Sequence, residues 1–194
     1  MEANTIDTLV NIFSRFPGMG TRSARRLVLF LIKHQNLYLG SLIDGLKNLQ
    51  TDIKVCECGN LDNTNPCKIC CNESRDRSIV CIVEDIMGLW AIERTGIFNG
   101  LYYTIGAIIS PIRGIGPEQL KTDNLLKLIE KNQVKEVVLA LNATIEGQAT
   151  AYYIKELLPN ICCSQLCSGV PINGELDYLD SSTIGAAFLR RNTI

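Results

Sequence analysis

Four cysteines in two close pairs form the clearest chemical signal in the sequence. Cys56 and Cys58 are followed, after eight intervening residues, by Cys67 and Cys70. Two thiolate pairs with this spacing can converge tetrahedrally on Zn²⁺, and the metal then stabilises a segment that has little apolar core of its own. Because four protein ligands leave no open position for water, we predict one structural zinc ion per chain rather than a catalytic one.

The remaining five cysteines leave alternatives open. The first pair is Cys-x-Cys rather than Cys-x-x-Cys, so Cys71 competes with Cys56 for the last ligand position. Disulfides are the alternative to metal binding, but they are disfavoured in the cytosol, and a degenerate, empty site is a second alternative. The other four cysteines lie in or beside apolar stretches, and we expect them to be small buried hydrophobic residues: Cys81, Cys162, Cys163 and Cys167.

A second signal lies near the N-terminus, where basic residues surround a pair of glycines. Between Asn11 and Gly40 there are five Lys or Arg residues and no Asp or Glu. Gly18 and Gly20 directly precede a predicted helix, whose first amides and positive dipole end suit a phosphate. Arg22 and Arg26 are four residues apart on one helix face and can contact backbone phosphates without reading bases. The simpler interpretation is an ordinary helical corner with glycines in its turn.

Two glutamates form the third group. Glu84 and Glu146 each follow a predicted strand, so both are expected at the C-terminal edge of a sheet, where α/β proteins place their sites. Two carboxylates can hold one Mg²⁺ weakly or contact a partner, whereas a two-metal centre needs more ligands. The simpler interpretation of Glu146 is a first-turn helix residue that the helix dipole favours.

The elements that position these residues can be predicted from apolar spacing. Apolar residues at i, i+3, i+4 and i+7 predict two helices on either side of residues 17–20, and a third helix is expected to open at Ser41, with Asp44 in its first turn. This third helix is expected to bury Leu42, Leu46 and Leu49.

Four later apolar stretches predict strands near residues 79–83, 101–107, 134–141 and 161–166, with helices near 89–94, 125–131 and 148–158. This alternation predicts a mainly parallel α/β sheet covered on both faces.

Composition restricts the class of protein. The chain has 194 residues, is 46% hydrophobic and carries a formal net charge of −1, so a DNA-binding surface must be local rather than global. Residues 1–15 lack the pattern of a secretory signal, and the longest apolar run, residues 27–32, is too short to cross a bilayer. We therefore expect a cytoplasmic protein without a membrane segment.

The order of the motifs resembles the RecR family of recombination mediators. The resemblance covers nearly the whole chain and is most specific in the S-P-x-x-G-I-G-P string at Ser110 and the E-G-x-A-T string at Glu146. The matching segments are residues 17–20, 56–70, 82–84, 110–117, 142–150 and 169–176.

The resemblance implies four modules and a function. The modules are a helix-hairpin-helix region (1–51), a four-cysteine zinc finger (52–77), a Toprim α/β domain (78–166) and a C-terminal segment (167–194) with a Walker-B-like acidic stretch at residues 174–180 and a helix. It also implies a homo-oligomer, either a dimer or a tetrameric ring. Its partners would be single- and double-stranded DNA, RecO and, in some bacteria, RecF, and its role would be to help load recombinase onto single-stranded DNA.

An enzymatic function must be weighed, because Toprim domains of topoisomerases and primases use clustered acids to hold Mg²⁺. Relative to that pattern, Gly88 and Gln148 replace acidic residues, although Asp85 returns one negative charge. The chain also shows no tyrosine nucleophile beside a basic cluster and no P-loop. We therefore expect no catalysis. The alternatives are a Mg²⁺-dependent phosphoryl-transfer enzyme and a protein-bridging scaffold without DNA contact.

Overall fold

The chain divides into two compact units, Met1–Ile53 and Lys54–Ile194. The computed structural model describes residues 4–167, 169–171, 173–189 and 191. Ile172, within the predicted motif at 169–176, and residues 190 and 192–194 of the C-terminal segment lie outside this described part. No helix in the described part is both long and apolar enough to cross a bilayer.

The first unit begins with the two predicted helices, α1 (Thr5–Phe13) and α2 (Thr21–Lys33). The Asn4 side chain caps α1 by accepting a hydrogen bond from the Ile6 amide. Val10, Ala24 and Val28 are buried where α1 and α2 pack together, as their helical spacing predicts. The helical hairpin predicted from the sequence is therefore confirmed.

The third helix, α3 (Gln35–Asp52), differs from its prediction. It begins six residues before Ser41, whose hydroxyl donates to the Tyr38 carbonyl inside the helix instead of capping its start. Asp44 is therefore not in the first turn. The predicted burial was also wrong, because no residue of α3 is buried and Leu46 and Leu49 are 54% and 61% exposed. The apolar spacing was present, but among the described residues α3 has no buried side chain.

The second unit contains the predicted parallel sheet. Its strands are β3 (Asp76–Val83), β4 (Gly100–Thr104), β5 (Glu136–Leu139) and β6 (Cys162–Gln165), arranged in the order β4-β3-β5-β6 and parallel throughout. The connecting helices are α5 (Ile86–Glu93), α6 (Thr122–Asn132) and α7 (Ile145–Leu157). The second unit begins with β1 (Lys54–Val55) and β2 (Leu61–Asp62), which form a short antiparallel pair, and α4 (Lys68–Cys71) follows them in the sequence.

Helices cover both faces of this sheet. Val80 and Ile82 of β3 point into a large core with Leu125 of α6 and Ile154 of α7. The alternate β3 residues, Cys81 and Val83, pack on the other face with Leu89 of α5. Period-two alternation in the central strand thus supplies two cores, and the predicted mixed α/β fold is confirmed.

The prediction for the four additional cysteines was only partly correct. Cys81 is buried in the central strand, as expected. Cys163 is half-buried, whereas Cys162 and Cys167 are exposed. The reason is position, because β6 is an edge strand and Cys167 lies beyond its end.

Candidate metal centre and nucleic-acid interface

The four predicted cysteine ligands lie together. The Sγ atoms of Cys56, Cys58, Cys67 and Cys70 are all within 4.8 Å of one another. Cys56 and Cys70 are 3.8 Å apart between their Sγ atoms, and Cys58 and Cys67 are 3.7 Å apart. Tetrahedral zinc with Zn–S bonds of about 2.3 Å requires sulfur separations of about 3.8 Å. Both separations match this value, and the four sulfurs are close enough together to hold one metal ion.

Cys71 does not belong to this cluster. Its side chain is exposed, and its Sγ lies 3.5 Å from the Pro66 carbonyl. Cys56, by contrast, is buried, and its Sγ accepts a hydrogen bond from the Cys67 amide at 3.4 Å. The structure thus places Cys56, rather than Cys71, beside the other three.

Hydrogen bonds between the cysteine thiols lower the pKa of one thiol and raise the pKa of another. The pKa of Cys58 is lowered to about 6, chiefly because the Cys70 thiol donates to it. The same interaction, together with burial, raises the pKa of Cys70. One thiolate is thus stabilised by its neighbours, as expected of a group of sulfurs assembled to share a cation.

The residues between the first two strands, which we call the metal loop (residues 56–60), are joined to edge strand β4. The Thr104 amide donates to the Cys58 carbonyl at 2.9 Å. Gly59 has a φ of +90°, and a Cβ at this position would lie 1.7 Å from the Thr104 hydroxyl oxygen. Only glycine permits this close approach of the metal loop to Thr104. The loop therefore covers β4, a strand at the edge of the sheet, at Thr104.

The predicted phosphate site lies at the start of α2. Gly18 adopts a φ of +75°, which explains glycine there, and Gly20 is the N-cap residue without a side-chain cap. The amides of Gly18 and of residues 20–23 donate no hydrogen bond to any other residue that the structure describes. These donors therefore remain available at the positive end of a 13-residue helix.

Three arginines, which we call the basic row, extend from these amides along α2. Arg22, Arg25 and Arg26 are exposed and line one shallow surface depression with Thr21 and Leu29. Neither of the two ion pairs found in the described part of the chain involves them. The cations and the free amides therefore lie at the same end of one helix.

Glu84 and Glu146 both lie past strand ends, as predicted, but each has its own partner. Glu84 accepts a hydrogen bond from the Asn142 side chain at 3.0 Å. Glu146 accepts one from the buried Ser110 hydroxyl, and its other oxygen lies 3.9 Å from Arg113. Among the described residues, the cysteine cluster is the one group of three or more potential metal ligands.

The hydrogen bond between Ser110 and Glu146 joins the two most specific sequence motifs, which begin at these two residues. Thr150 is fully buried, and its hydroxyl donates to the Glu146 carbonyl and accepts from the Ile109 amide, both at 2.8 Å. A Cβ on Gly147 would lie 2.1 Å from the Asn142 carbonyl oxygen, so only glycine fits. The motif around Glu146 thus holds the loop that begins at Ser110.

Asp85 and Asp180, two further acids from the sequence analysis, act as helix caps. Asp85 accepts hydrogen bonds from the Met87 and Gly88 amides at the start of α5. Asp180 accepts from the Ser182 and Thr183 amides at the start of α8 (Ser181–Leu189), and these bonds and those from both hydroxyls lower its pKa. Both carboxylates are thus engaged with backbone amides.

Two family models and several known proteins match the sequence of this chain. A family model described as the Toprim domain matches residues 78–166, and one described as RecR, C-terminal matches residues 169–192. Recombination protein RecR of Rickettsia canadensis is 47% identical over 96% of this chain and 95% of its own length. Its counterpart in Nitrobacter winogradskyi is 46% identical over 96% and 94%. The chain belongs to the RecR family.

RecR membership confirms the resemblance and the Toprim fold that the motifs predicted. Recombination protein RecR of Sinorhizobium fredii is 43% identical, and the matched region spans 97% of this chain and 96% of that protein. RecR proteins are named as recombination proteins rather than as an enzyme family.

Sequence reasoning missed several residues that shape these RecR sites. Ser110 and Thr150 lie inside the recognised motifs, which was the available signal, but the burial of their hydroxyls was not visible in the sequence. Asn60, which lies in the metal loop and accepts a hydrogen bond from Trp90, carried no such signal, because its partner is 30 residues away.

Proposed function

We propose that this chain is a DNA-binding recombination mediator that acts in recombinational repair and has no catalytic activity of its own. One observation carries the proposal: at the start of α2, exposed arginines that form no ion pair with any described residue lie beside amides that donate to none. Phosphate groups satisfy both features together, and they are the same in every DNA sequence. Binding of single- and double-stranded DNA is therefore sequence-independent, with Gly18, Gly20, Arg22 and Arg26 as contacts.

The metal in this proposal is zinc. Four cysteine thiolates match the ligand preference of Zn²⁺, and the sulfur separations of 3.7 and 3.8 Å match its tetrahedral geometry. All four positions are filled by protein, so the ion stabilises the module and supplies no reactive water. Cys56, Cys58, Cys67 and Cys70 hold it.

Self-assembly is part of the same proposal. α3 has no buried residue, and its exposed apolar side chains are unsuited to water in a free monomer. A homo-oligomer, either a dimer or a tetrameric ring, would cover such a surface. The proposed modules are a helix-hairpin-helix region (1–51), a zinc finger (52–77), a Toprim domain (78–166) and a C-terminal segment (167–194).

The proposed cellular role is to help load recombinase onto single-stranded DNA coated with binding protein, in the cytoplasm at the nucleoid. Its partners are RecO and, in some bacteria, RecF. The test is a loading assay with purified recombinase, coated single-stranded DNA and RecO. Faster filament formation that requires this chain supports the role, and equal rates with and without the chain contradict it.

We expect no Mg²⁺-dependent strand cleavage or relaxation of supercoiled plasmid. Glu146 is already bonded to Ser110 and faces Arg113, which leaves less of its carboxylate for a metal ion. Glu146→Gln keeps an oxygen for Ser110 but removes the charge that faces Arg113, so it should alter partner binding, with no turnover to lose. Gel analysis of plasmid incubated with wild type and variant checks this, and cleavage by the wild type that disappears in Glu146→Gln would support a phosphoryl-transfer enzyme.

Replacing Gly20, the N-cap residue of α2, should weaken DNA binding without lowering thermal stability. Gly20 has an ordinary φ of −81°, and a Cβ there meets nothing within 4 Å, so the fold tolerates a larger residue. Serine is a better N-cap than glycine, and its hydroxyl would accept from the same amides that a phosphate needs. Gly20→Ser should keep or raise the melting temperature while weakening DNA binding about tenfold, the value of one charge-assisted hydrogen bond.

Thermal denaturation and titration of labelled DNA check both halves of this prediction. Gly185→Ser is a suitable control, because a Cβ at Gly185 also meets nothing within 4 Å and the position lies in α8. Unchanged DNA affinity in a folded Gly20→Ser protein would remove the helix start from the binding site.

A further inference from the structure

The exposed face of α5 carries the only tryptophan of the chain. Met87, Trp90, Ala91 and Arg94 are exposed at i, i+3, i+4 and i+7, while Leu89 is buried against the sheet. Met87 is 65% exposed and Trp90 48%. None of the exposed positions from 86 to 94 is acidic, so this face is apolar along its length and positive at its C-terminal end.

The metal loop holds the Trp90 ring in place. The indole Nε1–H donates to the Asn60 side-chain oxygen at 3.0 Å. Asn60 is only 5% exposed, its carbonyl accepts from the Cys56 amide at 2.8 Å, and its own amide donates to the Cys58 sulfur at 3.5 Å. The only polar atom of the indole is therefore already bonded. A ligand can therefore contact only the apolar face of the ring. Because the hydrogen bond to Asn60 already fixes the orientation of the ring, ligand binding costs little further side-chain entropy.

We propose that Trp90 is a stacking platform for an unpaired base of single-stranded DNA, with Arg94 contacting a neighbouring phosphate. This inference rests on the proposed DNA-binding function and assigns a second contact, separate from the basic row on α2. Base–aromatic stacking tolerates any sequence, because every base has a π face, and a nearby arginine adds charge. Arg94 is one helical turn beyond Trp90, within reach of the same nucleotide.

The size and the charge of the face favour a base over a protein partner. About half of the indole is exposed, roughly 100 Å² given the ~200 Å² that such a side chain can bury, which suits one base. A stable protein interface needs about 800 Å² from each partner, far more than four side chains on two helical turns provide. The nearby Glu93 carboxylate is paired with Arg75, so it does not oppose a phosphate at Arg94.

The test uses the fluorescence of the single tryptophan in the full-length protein. Titration with a thymidine homopolymer should quench Trp90 emission in step with binding, whereas duplex DNA of equal length should bind without quenching. Single-stranded DNA that binds without changing Trp90 emission would overturn the stacking inference and leave the proposed function standing. Failure to bind any DNA would overturn both.

Two substitutions at this position provide the matched comparison. Trp90→Phe keeps an aromatic face and should bind the homopolymer nearly as well as wild type, whereas Trp90→Leu keeps apolar area without one and should bind about tenfold more weakly. The dependence of affinity on salt should be the same in both, because stacking releases no counterions. Affinity for the homopolymer in Trp90→Leu that equals that of wild type would overturn the inference.

Discussion

Replacing Cys67 by alanine should abolish stoichiometric zinc binding and destabilise the second unit by at least about 3 kcal/mol, a fraction of the free energy of binding structural zinc. Cys67 is fully buried within the cluster, and three ligands bind structural zinc far more weakly than four. The free energy of metal binding is also folding free energy in a segment without a core, so its loss lowers stability directly. The effect should reach the sheet, because the Cys58 carbonyl and Gly59 cap edge strand β4 at Thr104.

Elemental analysis together with thermal denaturation, with and without a chelator, measures this effect. Cys71→Ala is the matched control, since Cys71 is the adjacent thiol and lies outside the cluster. The control should retain one zinc per chain and the wild-type melting temperature. Full zinc content in Cys67→Ala, or zinc loss in Cys71→Ala, would contradict the ligand assignment.

The sequence predicted the strands of the sheet well because strands that are buried on both faces of a parallel sheet are continuous apolar runs. Helix starts were less accurate. α5 and α7 begin directly after the caps Asp85 and Thr144, a few residues before the periodic apolar residues that were used to find them. The parallel order and the two covered faces followed from the alternation of strands and helices.

Other features depended on contacts that local pattern does not encode. The sequence left Cys56 and Cys71 as rival ligands, and only the three-dimensional path of the metal loop separates them. The contact between Ser110 and Glu146 spans 36 residues of sequence. The leucines of α3 show the opposite case, in which an apolar face was visible in the sequence but stays exposed among the described residues.

The double substitution Arg22→Ala with Arg26→Ala should abolish detectable DNA binding near physiological salt. Both side chains are exposed and lie beside the free amides at the start of α2. A hydrogen bond to a charged group contributes about 1.5–3 kcal/mol, so the pair accounts for about a hundredfold or more in affinity. In an oligomer the loss recurs in every subunit, and the effects multiply when several subunits bind one DNA molecule.

Zinc content, oligomer mass and melting temperature should stay unchanged in this variant, because neither arginine contributes to a core or an ion pair within the described residues. Lys127→Ala with Lys131→Ala is the matched control. These exposed lysines are also four residues apart on one helix, α6, and their removal changes net charge by the same amount. The control should bind DNA almost as the wild type does.

The salt dependence of DNA affinity tests the central claim most directly. Affinity for one labelled DNA is measured at several salt concentrations, and log affinity is plotted against log salt for wild type and for the single variants Arg22→Ala and Arg26→Ala. Each phosphate contact removed should make the slope shallower by about 1, with equal weakening for DNA of different sequence. Wild-type slope and affinity in correctly assembled variants would contradict phosphate binding by the helix-hairpin-helix.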